Sequence, residues 1–262
     1  MGNKYIGRED APLEEKIWEM LQKTMIESAK SVLSGRRILH VEGPYGFGVS
    51  SVHVEDYEVE PGVISSRSLP MVHIHKSFSV PKRQLAAYED QGVMPPVKEA
   101  AQTARECAFM EDGLIFHGKK DLPGLLHTRG VNKISLSPWE QVGNAANDII
   151  KCITKLDSMG FHGPYSLALS PERYNMLYRI YERGSMSEIE HLKSIVKEGI
   201  FKAPVLKNGG VMVCPVPHMT SITLGQDMQI GFIGPTADEM EFYISESIAL
   251  NLQLPQAVCI LE

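Results

Sequence analysis

Two histidines, His73 and His75, stand one residue apart in a segment from Leu69 to Phe78 that alternates polar and apolar residues. Alternate side chains on a strand point the same way, so both imidazoles share one face, opposite Val72, Ile74 and Phe78, and could chelate a metal. No third ligand stands at a recognisable spacing, so no metal site is expected. Gly43-Pro-Tyr-Gly-Phe-Gly48 is glycine-rich but lacks the Lys and following Ser/Thr of a phosphate loop, and its spacing is not a dinucleotide fingerprint; a turn is expected. Glu111-Asp112 and Asp238-Glu239 could pair acid with base, but adjacent carboxylates with nothing nearby to raise a pKa read as solvated faces. Neither a Gly-x-Ser-x-Gly elbow nor a His-Glu-x-x-His pattern occurs, so the hydrolase signatures are missing and no catalytic residue is assigned. Cys107, Cys152, Cys214 and Cys259 form no Cys-x-x-Cys pair and read as buried, reduced thiols of a cytoplasmic protein rather than a zinc or disulfide framework.

With so little reaction chemistry, the information lies in the elements. The chain has 262 residues, 43% hydrophobic and 22% charged, an ordinary globular composition long enough to bury a full core. A net charge of −6 gives no basic footprint for nucleic acid. No run reaches the roughly 18–20 apolar residues of a membrane helix. The N-terminal segment is too charged for a signal peptide, and Ile6 stands where a myristoylation motif has Ser or Thr.

Pro12 to Ser34 reads as one helix, with Glu14 and Glu15 at its start and Gly35 as the stop. Its apolar residues spread over about two thirds of the circle at 100° per residue, more than one covering surface needs. Residues 51 to 60 alternate and end at the turn Pro61-Gly62, and with the alternating segment Leu69 to Phe78 they read as a long two-stranded arm. Such a ribbon is not stable alone in water and must lie against something else. A further helix follows Pro95-Pro96 and closes at Gly118. Ser137-Pro-Trp-Glu140 reads as a capping box opening a helix to Gly160. Tyr165 to Leu169 reads as a strand, Ser170-Pro171 starts a helix ending near Gly184, and Ser187-Glu-Ile-Glu190 caps another. Asn208-Gly209 predicts a hairpin between Val205 and Val213. The alternation from Ile248 to Leu254 and the run Ala257 to Leu261 are closing strands. The class is α+β, with two lobes interleaved along the chain.

The order of several motifs resembles the encapsulins, linocin-like bacterial nanocompartment shell proteins, over essentially the whole chain. These are the N-terminal helix with Gly35-Arg-Arg and Val41-Glu-Gly-Pro-Tyr-Gly46; Phe109-Met-Glu-Asp-Gly-Leu-Ile-Phe-His-Gly118 with Gly124-Leu-Leu126; Gly163-Pro-Tyr165; and Leu224-Gly-Gln-Asp227 with Ile230-Gly231. The resemblance implies the tailed-bacteriophage major capsid protein fold, with a peripheral domain, an axial domain and an elongated loop. Mapped on this chain, 1–47 holds the N-terminal helix and the start of the peripheral domain and 48–71 the elongated loop. Residues 72–131 continue the peripheral domain with its spine helix, 132–223 form the axial domain, and 224–262 close the peripheral domain.

The implied function is a self-assembling icosahedral shell, leaning to a 60-mer, that encloses a ferritin-like protein or peroxidase through the cargo's C-terminal targeting peptide. The shell itself would be no enzyme, and neither nucleic acid nor membrane would be its partner. The implied peptide groove comprises Met25, Ala29, Val32, Leu33, Arg36, His40, Ile230 and Phe232, with His40 where some relatives carry Asp. The implied pore rim is Arg183-Gly184-Ser185-Met186-Ser187. Phe78 to Arg83 lacks the tryptophan beside which some encapsulins bind flavin, so no cofactor is carried over. A phage or prophage capsid protein shares the implied fold, and a hydrolase or bacteriocin-like enzyme is the alternative of a different class.

Overall fold

A computed structural model of the chain describes residues 4–92, 95–182 and 184–262. The first long helix, α1 (Glu15–Lys30), is shorter than its apolar pattern predicts and is capped at Ser31. Ile17, Trp18, Leu21, Met25 and Ala29 are its buried residues; at 100° per residue they span about 120°, an ordinary one-sided helix. The wider arc of the sequence counted Met20 and Ile26, which the chain leaves half-buried and exposed. Gly35 does not stop α1 but opens a separate short helix, α2 (Gly35–Ile38).

The chain continues through β1 (His40–Glu42), β2 (Ser51–Glu60), β3 (Val63–Pro70), β4 (Val72–Pro81), α3 (Lys82–Gln91) and α4 (Lys98–His117). Next come β5 (Gly118–Lys119), β6 (Leu122–Pro123), β7 (Asn132–Ile134), α5 (Asn144–Asp157), β8 (Ser166–Leu169), α6 (Pro171–Met176) and α7 (Glu188–Ile195). The remaining elements are β9 (Gly199–Lys202), β10 (Gly210–Val213), β11 (Thr220–Pro235), β12 (Glu239–Leu252) and β13 (Val258–Leu261). The strands form sheets of order β1-β11-β12-β4 and β7-β13-β10-β8-β9 and the two-stranded pairs β2-β3 and β5-β6. Two units alternate along the chain. One comprises Met1–Val32, Gly43–Met110 and Thr223–Ala249; the other comprises Leu33–Glu42, Glu111–Ile222 and Leu250–Glu262.

In the first unit β12 runs antiparallel to β4 with Phe242 opposite Phe78. These rings stack at 5.3 Å, Phe232 lies 5.6 Å from Phe242, and Trp18 of α1 meets Phe242 edge-on at 5.8 Å. Ile74, Phe78 and Val80 point inward while His73 and His75 are exposed, as the two-residue period requires. The arm is a ribbon without a core: β2 and β3 pair antiparallel from Ser51–Pro70 to Glu60–Val63, and no residue of 51–70 is buried. Its second strand is therefore 63–70 and not Leu69 to Phe78 as the alternation suggests, because Val72 onward pairs with β12 instead.

The second unit is the opposite case, since every residue of β8, β10 and β13 is buried. Ala145, Ile149, Cys152 and Leu156 of α5 join them, with Trp139, in one apolar cluster. Two turn readings are corrected here. Ser137 does not cap a helix: its N–H and hydroxyl both donate to Asp148, each at 2.7 Å, the Trp139 indole N–H joins them at 3.0 Å, and α5 begins only after Gly143. The Asn208-Gly209 hairpin does not form either, because β10 pairs with β13 and β8 and 205 lies outside any strand. Gly209, at φ +70°, is required because a Cβ there would stand 2.0 Å from the Leu261 carbonyl oxygen. The helix from Pro171 ends at Met176, short of Gly184. The capping box at Ser187 is present, with both its hydrogen bonds made.

Candidate assembly arm and cargo-facing helix

The arm is the part of the chain least explained by its own fold. Tyr57, Val59, Val63 and Ile64 are exposed, Ile64 at 71%, although valine and isoleucine are residues that folding usually buries. Its polar side chains make only local contacts: Arg67 reaches Glu55 at 3.0 Å, and the Ser66 hydroxyl donates to Asp56 at 2.6 Å. Such solvent-exposed pairs contribute roughly 0–1 kcal/mol each. Both edges of the ribbon and both faces are open to another polypeptide.

The residues implied for the peptide groove divide between the two units. In the first, Met25, Ala29, Val32, Ile230 and Phe232 are all buried in the unit's own core, so they anchor α1 and β11 rather than offer open surface. What α1 leaves open is its other side. Glu15, Glu19, Gln22, Lys23, Ile26, Glu27 and Lys30 line, with Arg8, a shallow groove of about 560 Å³. Ile26, 38% exposed, is the large apolar side chain in that lining.

In the second unit Leu33 is buried and His40 half-buried on β1. Arg36 is engaged by Glu111: Nε to Oε1 at 2.7 Å and Nη2 to Oε2 at 2.8 Å, the bidentate geometry that suits guanidinium and carboxylate. Glu111 and Asp112 are fully buried, which corrects their reading as a solvated face. Asp112 accepts from the Ser34 N–H at 2.9 Å, the Ser34 hydroxyl at 2.6 Å and the Gly35 N–H at 2.9 Å. It thereby serves the free N–H groups at the start of α2. Burial outweighs these donors and pushes its carboxyl up to about 6. Gly35 is essential to this packing, since a Cβ would stand 2.7 Å from Ile115 Cδ1. The partners lie 75 to 78 residues apart, so no local pattern announced them.

Of the implied pore rim, Arg183 lies outside the described residues. Gly184, Ser185 and Met186 are exposed and Ser187 is buried as the cap of α7. The loop is narrow: the Gly184 N–H bonds the Tyr181 carbonyl at 3.0 Å and the Tyr181 N–H bonds the Met186 carbonyl at 3.3 Å. Among the described residues no group of three or more His, Cys, Asp or Glu could hold a metal. None of their helices is long and apolar enough to cross a membrane.

Two interleaved α+β units and a two-stranded arm without a core define a capsid-type shell subunit, and comparison with solved structures places the chain in that class. It overlays the virus-like particle of Pyrococcus furiosus with a TM-score of 0.76 at 25% identity, covering 94% of this chain and 99% of the other. The capsid of Myoviridae phage XM1 follows at 0.63 and 15% identity, over 85% and 88% of the two chains, a likeness of fold. The family profile described as "Encapsulating protein for peroxidase" matches residues 3–249. The type 1 encapsulin shell protein EncA of Myxococcus xanthus is 31% identical over 98% of this chain and 96% of its own length. The chain belongs to the encapsulin family of shell proteins.

Proposed function

We propose that copies of this chain close into an icosahedral particle of 60 subunits in the cytoplasm and enclose a ferritin-like protein or peroxidase held by its C-terminal targeting peptide. The observation that carries this reading is the arm, whose exposed Val59, Val63 and Ile64 gain cover only from other subunits. Identical subunits making such head-to-tail contacts close into a point group when the angles permit. Within the first unit the targeting peptide lies along α1 and β11, with Met25, Ala29, Val32, Ile230 and Phe232 as the buried backing and Ile26 as the exposed apolar contact. Leu33, Arg36 and His40, the other residues implied for the peptide, belong to the second unit, where Arg36 is paired with Glu111. Gly184, Ser185 and Met186, exposed in the loop before α7, line a pore that passes ions and small substrates. The chain contributes containment, and the cargo contributes iron or peroxide chemistry.

The test is expression of the chain alone and with a segment of 51–70 replaced by a short Gly/Ser turn joining Ser50 to Met71, whose backbones are already hydrogen-bonded at 2.9 Å. Closed particles from the intact chain and folded, unassembled subunits from the armless one support the reading. Particles from both would remove its basis. For the peptide site, Ile26→Asp is expected to lower the cargo-to-shell ratio while leaving particle diameter unchanged.

A further inference from the structure

The first unit contains a cleft whose lining includes no residue of the arm or of α1. It is lined by Tyr5, Tyr45, Phe47, Asp227 and Gln229, together with glycine-rich backbone of 44–48 and 225–226, and has a volume of about 640 Å³. That is the size of site that takes a small organic molecule. Three large rings stand open to solvent around it, Tyr5 at 66%, Tyr45 at 61% and Phe47 at 45%. Tyr5 and Phe47 stack with centroids 5.9 Å apart and planes 21° off parallel, so they form one aromatic wall.

The polar character of the lining has one sign. Two of the loop's N–H groups are already used: Tyr45 donates to the Leu224 carbonyl at 3.0 Å and Gly46 to that of Gly225 at 2.7 Å. Gln226 spends its backbone N–H on the Ser247 hydroxyl and its side-chain amide on Ser245, so these groups offer nothing to an anion. Asp227 is exposed, with its Oδ1 accepting the Met228 N–H at 2.8 Å, and its carboxylate puts a negative charge on the rim; no Lys or Arg lines the cleft among the described residues. The Oε1 of Gln229 is buried without a hydrogen-bond partner, and a buried acceptor left unsatisfied costs about 1–3 kcal/mol. Aromatic faces, a carboxylate and an orphan amide oxygen together complement a cation that carries N–H donors.

We propose that this cleft binds a free small organic cation of the guanidinium or alkylammonium class. The guanidinium fits best, because its flat face stacks on Tyr5, Tyr45 or Phe47 while its N–H groups reach Gln229 and Asp227. The inference is independent of the cargo assignment.

Isothermal titration of the full-chain particles with N-acetyl-argininamide and with its uncharged isostere N-acetyl-citrullinamide tests it. The charged probe is expected to bind about tenfold more tightly than the neutral one, the equivalent of about 1.4 kcal/mol. Phe47→Ala and Gln229→Leu are each expected to weaken it several-fold in particles of unchanged diameter. Equal affinity for both probes, binding indifferent to both substitutions, or no binding of argininamide to intact particles would overturn the proposal.

Discussion

The arm and the five-stranded sheet of the second unit are both β-structure, yet they are held in opposite ways. Every residue of β8, β10 and β13 is buried beneath α5 and its neighbours, whereas no residue of β2 or β3 is. Apolar burial contributes about 25 cal/mol per Å², so the sheet supports itself within one chain. The arm has hydrogen bonds between its two strands and little else, and a two-stranded ribbon of that kind is marginal in water. The lesson is a division within one chain: the interleaved units carry cores of their own, and the arm, which carries none, is what the proposed contacts between subunits would use.

That division can be broken most severely by exchanging the perturbations. Deleting the arm is expected to abolish particles entirely while the subunit retains its circular dichroism spectrum, as read by light scattering and spectroscopy on one preparation. Next in size, Trp139→Ala should destabilise the chain by about 3–5 kcal/mol in denaturant titration, because it opens the centre of the second core and withdraws a donor from Asp148. A Val59, Val63 and Ile64 triple change to serine should move the same titration by less than about 0.5 kcal/mol and still weaken assembly. Arg36→Ala leaves Glu111 charged and buried without its bidentate partner, a loss of about 3 kcal/mol that the denaturation midpoint would report.

A further effect concerns pH. Asp112 is pushed up to about 6 from an ordinary value of 3.8. Between those values the folded chain holds a proton that the unfolded chain has released, so this group's contribution to stability grows as pH falls from about 6 to about 4 and fades as pH rises again. Asp112→Asn should remove that dependence. The stability of the original chain minus that of the variant should rise on the order of 1–3 kcal/mol from pH 7 to pH 4.

Where structure depends on neighbours in sequence, the reading from residues carried through. The alternation around His73 and His75, the Ser187 capping box, the helix closing at Gly118 and the first strand of the arm with its turn at Pro61-Gly62 all follow from local periodicity and turn chemistry, whereas the arm's second strand is misplaced because alternation does not say which strand pairs with which. The order of motifs from Gly35 to Gly231 supplied the family. What escaped depends on distant partners. Ser137 satisfies the spacing of a cap yet turns its hydroxyl to Asp148, and Glu111 and Asp112 find Arg36, Ser34 and Gly35 from across the chain. β11, sixteen residues long, was visible only around Ile230. The implied groove took Met25, Ala29, Val32 and Leu33 from the apolar arc of the first helix and Ile230 and Phe232 from the strand after Gly-Gln-Asp, and all six are buried within the chain. Periodicity identifies a buried face without saying which polypeptide buries it.

The account's central claim is that this subunit closes into a shell through an arm it does not need for folding. Negative-stain imaging of the chain expressed by itself tests that most directly. Uniform hollow spheres of one diameter are the expected result, lost when 51–70 is replaced. Monomers or small open oligomers from the intact chain at working concentration would contradict it.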